Sequence, residues 1–404
     1  MKDLTFQGVS RKILLYFTKN NWARERFLQV DASSGILRDS WLQLRKKGRK
    51  YSVRIVEVIT GGEPGGAQRH VAELVTYLIA QGHEVAIIHG GGKWLSQAVS
   101  DKAEVYYLSQ LKREISFQDT MAFSALRALI LKLSPNVVHA HSSKAGILCR
   151  LIGWREKIPV VYTAHGFVFV DPTRPLLTRR LFQFLEAWGA RHSQGIITLS
   201  DVDLEFAKKA GTQAIVRKIP NGVPVRKKGV RCLGLRRNVG FIGRFSREKG
   251  LDVIIEAAAM SSQWRWLLAG DGVLPSKLNE HRAELTNAHW LGWMDNSEQF
   301  FQQVDIIVQP SYKEGLPYTV LDAMACGIPV VATPVGALPE ILSQVDSRLL
   351  CPLGDARGLV QAVEFAFEHY DSLARSSYEL IKTRYDLEVQ LRQTVEMLAL
   401  AARS

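Results

Sequence analysis

The chain reads as an α/β protein built from two units of wound parallel sheet. Three observations predict this. Its 404 residues suffice for two domains with full cores. Each half opens in the same way: an apolar strand at Val53–Ile59 or from Val239, a glycine-rich loop, a helix, then another strand. Short continuous apolar runs such as Ile306–Val308 and Ile328–Val331 are the pattern of strands buried on both faces, which parallel sheets require.

Composition narrows the class. Hydrophobic residues make up 47% and charged residues 23%, as in soluble globular proteins. No apolar run reaches transmembrane length, and no signal peptide is evident. The four cysteines are scattered without a C-x-x-C, so neither a disulfide framework nor a zinc site is expected, and a reducing cytosol fits. The net charge is +13, with basic residues crowded before residue 51 and between Arg217 and Arg237. Phosphorylated substrates or an anionic membrane surface would account for it. Nucleic acid is not expected, because no basic module with interleaved aromatics is present.

Taken in order, residues 1–50 read as a basic extension, loosely packed or lying against a membrane surface. Val53–Ile59 then runs into Thr60-Gly-Gly-Glu-Pro-Gly-Gly66. A helix follows with apolar positions at Val71, Leu74, Val75 and Leu78, and then the strand Val85–Ile88. This opening is Rossmann-like: glycines admit a phosphate to the backbone, and the helix N-terminus supplies N–H donors. A strand at Val105–Leu108 and a helix at Met121–Leu133 come next. Val137–His141 and Val160–Gly166 are strands running into loops, and place His139, His141 and His165 near strand ends. No carboxylate accompanies the histidines at metal-site spacing, so no metal is expected and His139 reads as a hydrogen-bonded residue near a sheet edge. Residues 167–193 mix Arg174, Arg179 and Arg180 with Leu176, Leu177, Leu181, Phe182, Phe184 and Trp188. Two readings stand level: a core helix with a solvated arginine edge, or a basic, apolar helix that lies on a membrane or grips a lipid-linked acceptor. Gly195–Leu199 is a strand, and Ser200 caps a helix whose Asp201 and Asp203 sit in its first turn, where negative charge is favoured.

The second unit starts at Val239-Gly-Phe-Ile-Gly-Arg244 and continues Phe245-Ser-Arg-Glu-Lys249-Gly250. Arginine offers phosphate a bidentate fork and lysine a point charge, here on a loop beside a helix N-terminus. Trp266–Gly272 carries a Gly-Asp-Gly loop. Pro310-Ser-Tyr-Lys-Glu314-Gly315-Leu316-Pro317 then precedes Ala325-Cys-Gly-Ile-Pro-Val-Val-Ala332. Helices are expected from about residue 356, with a junction at Tyr385.

These motifs (P-S-x-x-E-G-x-P, A-x-G-x-P-V-V-A, G-R-x-x-x-x-K-G, I-P-N-G-V at Ile219–Val223 and T-x-H-G at His165), met in order over residues 53–404, resemble the retaining glycosyltransferases of family 4, which have the GT-B fold. The resemblance implies an N-terminal acceptor domain over 51–224, a linker at 225–237, a nucleotide-sugar domain over 238–385, and a terminal helix, 386–404, that returns to the first domain. It implies His165 and Glu314 at the reaction centre. Gly65, Gly66, Arg244 and Lys249 would hold the donor diphosphate. Gly270, Gly272 and Asp322 would hold the nucleotide, and Glu314, Gly315 and Leu316 the donor sugar. The family's second acidic residue is usually glutamate. Here Asp322 replaces it, shorter by about 1.5 Å of reach.

The implied reaction moves a sugar from a nucleotide-sugar, with UDP favoured, to a saccharide or lipid-linked acceptor, with retention. Arg244, Lys249 and the helix N-terminus would neutralise the leaving diphosphate, so neither metal nor cofactor is expected. A cytoplasmic enzyme, or one peripheral to the cytoplasmic face of the inner membrane, would suit surface-polysaccharide synthesis. Two alternatives compete: a nucleotide-sugar epimerase, and a non-catalytic partner with the same fold, which the Asp322 departure would suit.

Overall fold

Strands β1 (Arg54–Ile59), β2 (Glu84–His89), β3 (Glu104–Tyr107), β4 (Val137–His141), β5 (Val160–Ala164), β6 (Gly195–Thr198) and β7 (Ile215–Lys218) form one sheet in the order 3-2-1-4-5-6-7. A second sheet holds β8 (Asn238–Ile242), β9 (Arg265–Ala269), β10 (Ala288–Gly292), β11 (Ile306–Gln309) and β12 (Val330–Ala332) in the order 10-9-8-11-12. The computed structural model describes residues 52–99, 101–112, 119–224, 237–273 and 276–404. The expected extension 1–50 and nearly all of the expected linker lie outside the described residues.

Every strand pairing is parallel. Helices therefore cover both faces, and order reverses beside β1 in the first sheet and beside β8 in the second, where doubly wound folds open a crevice. The edge strand β7 was not foreseen, because Ile215–Lys218 alternates too weakly to stand out. The structure also corrects the placement of His139: β4 is an interior strand between β1 and β5, not an edge.

Alternation along the strands divides the first core. Val56, Val58, Val138, Ala140 and Tyr162 pack on one face. Ile55, Ile59, Val137 and Val161 pack on the other. That second face is covered by the helix Gly66–Ala80 through Val71, Leu74 and Leu78, and by the terminal helix Leu387–Ala401 through Leu391, Val395 and Leu398. The C-terminus thus completes the core of the N-terminal sheet, as expected. Tyr385 caps the preceding helix, and its carbonyl accepts from the Val223 amide at 2.9 Å.

Ser200 accepts from the Asp203 amide at 3.1 Å, so its helix is capped as the sequence indicates. The helix Leu176–Ala190 buries Phe182, Glu186, Gly189 and Ala190. Glu186 meets Arg150 at 2.7 Å and Tyr162 at 3.3 Å, fixing this helix against the sheet. Its opposite face exposes Leu177 (81%), Phe184 (68%) and Leu181 (52%). The helix therefore contributes core on one face, and its apolar stripe at Leu177, Leu181 and Phe184 is solvent-exposed on the other.

Candidate active site

The two sheets meet loop to loop. The loop after β5 brings His165 and Gly166 against Glu314 and Gly315, which follow β11. A Cβ on Gly315 would lie 2.5 Å from the His165 carbonyl oxygen, and one on Gly166 would lie 2.9 Å from the Gly315 nitrogen. Backbone approach this close leaves no room for side chains. The structure therefore unites the two residues expected at the reaction centre.

Glu314 is held from one side. Its Oε1 accepts from Lys249 Nζ at 2.7 Å, Ser311 Oγ at 2.7 Å and Gln309 Nε2 at 2.8 Å. Among the described residues Oε2 has no hydrogen-bond partner, and neither have the amides of Gly315 and Leu316. Gly315 is buried, and buried donors are normally paired. One carboxylate oxygen and two amides thus stand ready for a polar ligand. The Leu316 carbonyl is already engaged, accepting from Asn221 Nδ2 at 2.7 Å, and its side chain is buried.

The diphosphate candidates divide. Gly65 precedes the helix Gly66–Ala80, whose first turn carries no acidic residue and no side-chain cap. This positive end faces the second unit: a Cβ on Gly66 would sit 3.5 Å from Tyr318. Lys249 closes a short turn before the helix Leu251–Met260 and is committed to Glu314. Arg244 is half exposed, and among the described residues its side chain makes one contact, at 3.3 Å to Glu248. Gly270 and Gly272 have φ of 145° and 150°, and each packs against backbone carbonyls, of Gly243 and Phe245 respectively. Both positions require glycine to seat the loop beside Arg244.

Asp322 lies in an unforeseen setting. Both its oxygens face Arg69, with Nη1 bonded to Oδ2 and Nη2 to Oδ1, the latter at 3.2 Å. Arg69 also holds Glu73 at 2.9 Å, and its guanidinium stacks 4.3 Å from the Tyr318 ring centroid. The residue expected on the ribose therefore joins the two units. Lone-pair positions remain on its oxygens.

A carboxylate also accompanies the histidines, contrary to the sequence reading. Glu57 on β1, fully buried, pairs in register with His139 on β4. Its Oε1 lies 3.2 Å from His139 Nδ1, and its Oε2 lies 2.8 Å from His141 Nε2. His141 Nδ1 lies 3.0 Å from His165 Nε2. His70 packs edge-on against His165 with centroids 5.0 Å apart. Burial pushes His141 and His165 well below the usual histidine range and His70 down to about 4, so all three are neutral near pH 7. Glu57, His139 and His141 are grouped as metal ligands are. Their separations are those of N–H···O hydrogen bonds, which already satisfy both rings on the carboxylate side.

Two family models cover most of the chain. One described as "Glycosyltransferase Family 4" matches residues 64–227, and one described as "Glycosyl transferases group 1" matches residues 236–369. The chain belongs to the family 4 glycosyltransferases. The UDP-Gal:alpha-D-GlcNAc-diphosphoundecaprenol alpha-1,3-galactosyltransferase of Escherichia coli is 27% identical to this glycosyltransferase, over 67% of this chain and 76% of the relative. The putative glycosyltransferase EpsD of Bacillus subtilis is 25% identical over 70% of this chain and 80% of its own. Among solved structures, sucrose-phosphate synthase from Thermosynechococcus elongatus matches with a TM-score of 0.73 and 20% identity, covering 87% of this chain and 100% of that one. Anabaena HepE in complex with UDP-glucose matches with a TM-score of 0.72 and 18% identity, over 86% and 99%. These likenesses show the GT-B fold. None favours an epimerase or a non-catalytic partner. No helix among the described residues is long and apolar enough to cross a membrane.

Proposed function

We infer that this glycosyltransferase moves a sugar from a UDP-linked donor to a lipid-linked saccharide, with retention and without a metal. The observation that carries this reading is the meeting of His165 with Glu314 and Gly315. It leaves Oε2 of Glu314 and two amides unengaged beside a free helix N-terminus. Glu314 Oε2 and the Gly315 and Leu316 amides would take donor-sugar hydroxyls. Arg244, Lys249 and the helix end at Gly65–Gly66 would stabilise the charge that develops on the diphosphate. Asp322 would accept ribose hydroxyls through lone pairs that Arg69 leaves free. The named E. coli relative uses a UDP-sugar and a diphosphoundecaprenol acceptor, which supports the same classes here.

The exposed stripe of the helix Leu176–Ala190 supports an acceptor at a membrane surface. Leu177, Leu181 and Phe184 lie at helical spacing, Arg180 is exposed beside them, and Trp154 (51% exposed) reaches the same helix through Trp188. An apolar face edged by arginine suits an anionic bilayer, and this supports a peripheral position at the cytoplasmic face of the inner membrane.

The test is calorimetric binding of UDP, GDP and ADP in EDTA, followed by transfer to a polyprenyl-diphosphate saccharide and NMR of the new anomeric linkage. UDP binding that is lost in Arg244→Ala, with transfer in EDTA and an axial linkage from an axial donor, is expected. Transfer that stops in EDTA overturns the metal-free reading, and an inverted linkage overturns retention.

A further inference from the structure

We propose that Glu57 and His141 are positioning residues that act through His165: a buried carboxylate–histidine–histidine relay fixes the tautomer of His165 and turns its Nδ1 into a hydrogen-bond acceptor for a substrate hydroxyl. The proposal rests on the transferase reading of the cleft, in which His165 stands at the donor sugar.

Glu57 interrupts the apolar run Ile55–Ile59 in the middle of a parallel sheet, with no solvent exposure. An ionised carboxylate is costly there unless it is paired and hydrogen-bonded. A carboxylate only accepts, so the nitrogens facing it both carry hydrogen: Nδ1 of His139 and Nε2 of His141. The other ring nitrogen of His139, Nε2, lies 2.7 Å from Thr163 Oγ1. Neutral His141 then has its lone pair on Nδ1. Its neighbour at 3.0 Å, His165 Nε2, must therefore be the donor. With Nε2–H committed inward, neutral His165 keeps its lone pair on Nδ1, and among the described residues nothing hydrogen-bonds that atom. His165 is only half-buried.

The arrangement is directional. Reversing the tautomer of His141 would set its Nδ1–H against the Nε2–H of His165. His165 would have to reverse as well, and its free nitrogen would become a donor. Ser142, directly after His141, holds a φ of 69°, rare for a residue with a side chain, and its Oγ is tied to Thr60 Oγ1 at 3.0 Å. The turn out of β4 is thus held in an unusual geometry next to the middle member of the relay.

The experiment uses the full chain with ¹⁵N-histidine and ¹H–¹⁵N spectra at pH 7.5, His141 and His165 being assigned from single variants. Both rings are expected as neutral Nε2–H tautomers. An Nδ1–H tautomer or an imidazolium at His165 would overturn the relay, and so would stoichiometric zinc displacing the ring protons. This readout holds even if the protein transfers no sugar, so failure of the relay and failure of the transferase reading are distinguishable. In kinetics, Glu57→Gln should lower kcat about tenfold or more while nucleotide affinity stays within about twofold. Thr163→Val, which removes the hydroxyl that meets His139 and no side-chain bond of the relay, should leave kcat nearly unchanged. Equal losses in both variants, or unchanged kcat in Glu57→Gln, would overturn it. Should Glu57→Gln fail to fold, His141→Gln carries the same expectation.

Discussion

Arg69 satisfies two acids on opposite sides of the cleft, Glu73 in its own helix and Asp322 in the facing one. Removing it leaves both carboxylates poorly solvated and unpaired. Arg69→Ala is expected to lower stability by about 2–3 kcal/mol in urea unfolding, somewhat less than a fully buried pair because the arginine keeps some water contact. Arg69→Lys should not restore it, since an ammonium cannot span both oxygens. The histidine cluster gives a pH dependence whose sign is determinate. The folded pKa of His70 is lowered to about 4, and those of His141 and His165 are also lowered. Below about pH 6.5 the unfolded chain therefore binds more protons than the folded one, and stability falls with pH down to about 4. For His70 alone this is on the order of 3 kcal/mol. Asp203 and Glu73 oppose it, because burial raises the Asp203 carboxyl to about 6 and pushes the Glu73 carboxyl up as well, but two carboxyls are outweighed by three histidines. Urea midpoints at pH 7.5, 6 and 5 should fall in that order, and His70→Gln should flatten the slope. A flat wild-type profile would contradict the neutral cluster.

The helix Leu176–Ala190 separates its faces cleanly. The buried face is anchored by the Arg150–Glu186 ion pair, and the other presents Leu177, Leu181 and Phe184 to solvent. Replacing those three with serine removes exposed apolar area and no core contact. The expected result is loss of binding to anionic vesicles with a stability change of about 0.5 kcal/mol or less. Retained vesicle binding would mean that the stripe is not the docking face. The cap at Ser200 is a purely local device. Ser200→Ala should cost about 1 kcal/mol, seen as a lower urea midpoint without loss of nucleotide binding.

The two units close on each other through backbone at Gly166 and Gly315, through the Arg69–Asp322 pair, and through the terminal helix. Within that helix, Gln390 accepts from the Gly222 amide at 2.6 Å and donates to His70 Nδ1 at 2.9 Å. It thus links the interdomain junction to the histidine cluster. Gly315→Ala would drive a methyl group into the His165 carbonyl. Small-angle scattering of this variant should show a larger radius of gyration, together with slower transfer. An unchanged radius would show that the loops absorb the methyl group without the two units parting. Leu391→Ala in the terminal helix should destabilise by about 2–4 kcal/mol, and hydrogen exchange should report the loss in β1, β4 and β5 rather than in the second sheet.

Local pattern alone determined a great deal about this protein. Continuous apolar runs identified nearly every strand, because a strand buried on both faces has no polar positions to spend. Glycines and caps marked the loops, and Glu314 and His165 stood out because their motifs are contiguous in the chain. Only the tertiary structure decided what reaches across. Arg69 and Asp322 are 253 positions apart, and no local period relates a helix in one unit to a helix in the other. Glu57 was visible as a lone acid in an apolar strand. Its meaning depended on which strand lies beside β1, and parallel strands pair across long crossovers whose order a sequence does not spell out. The exposed face of Leu177, Leu181 and Phe184 was undecided for the same reason: an apolar stripe reads alike whether a sheet or solvent lies beyond it, and the Arg150–Glu186 pair settled which side the sheet took.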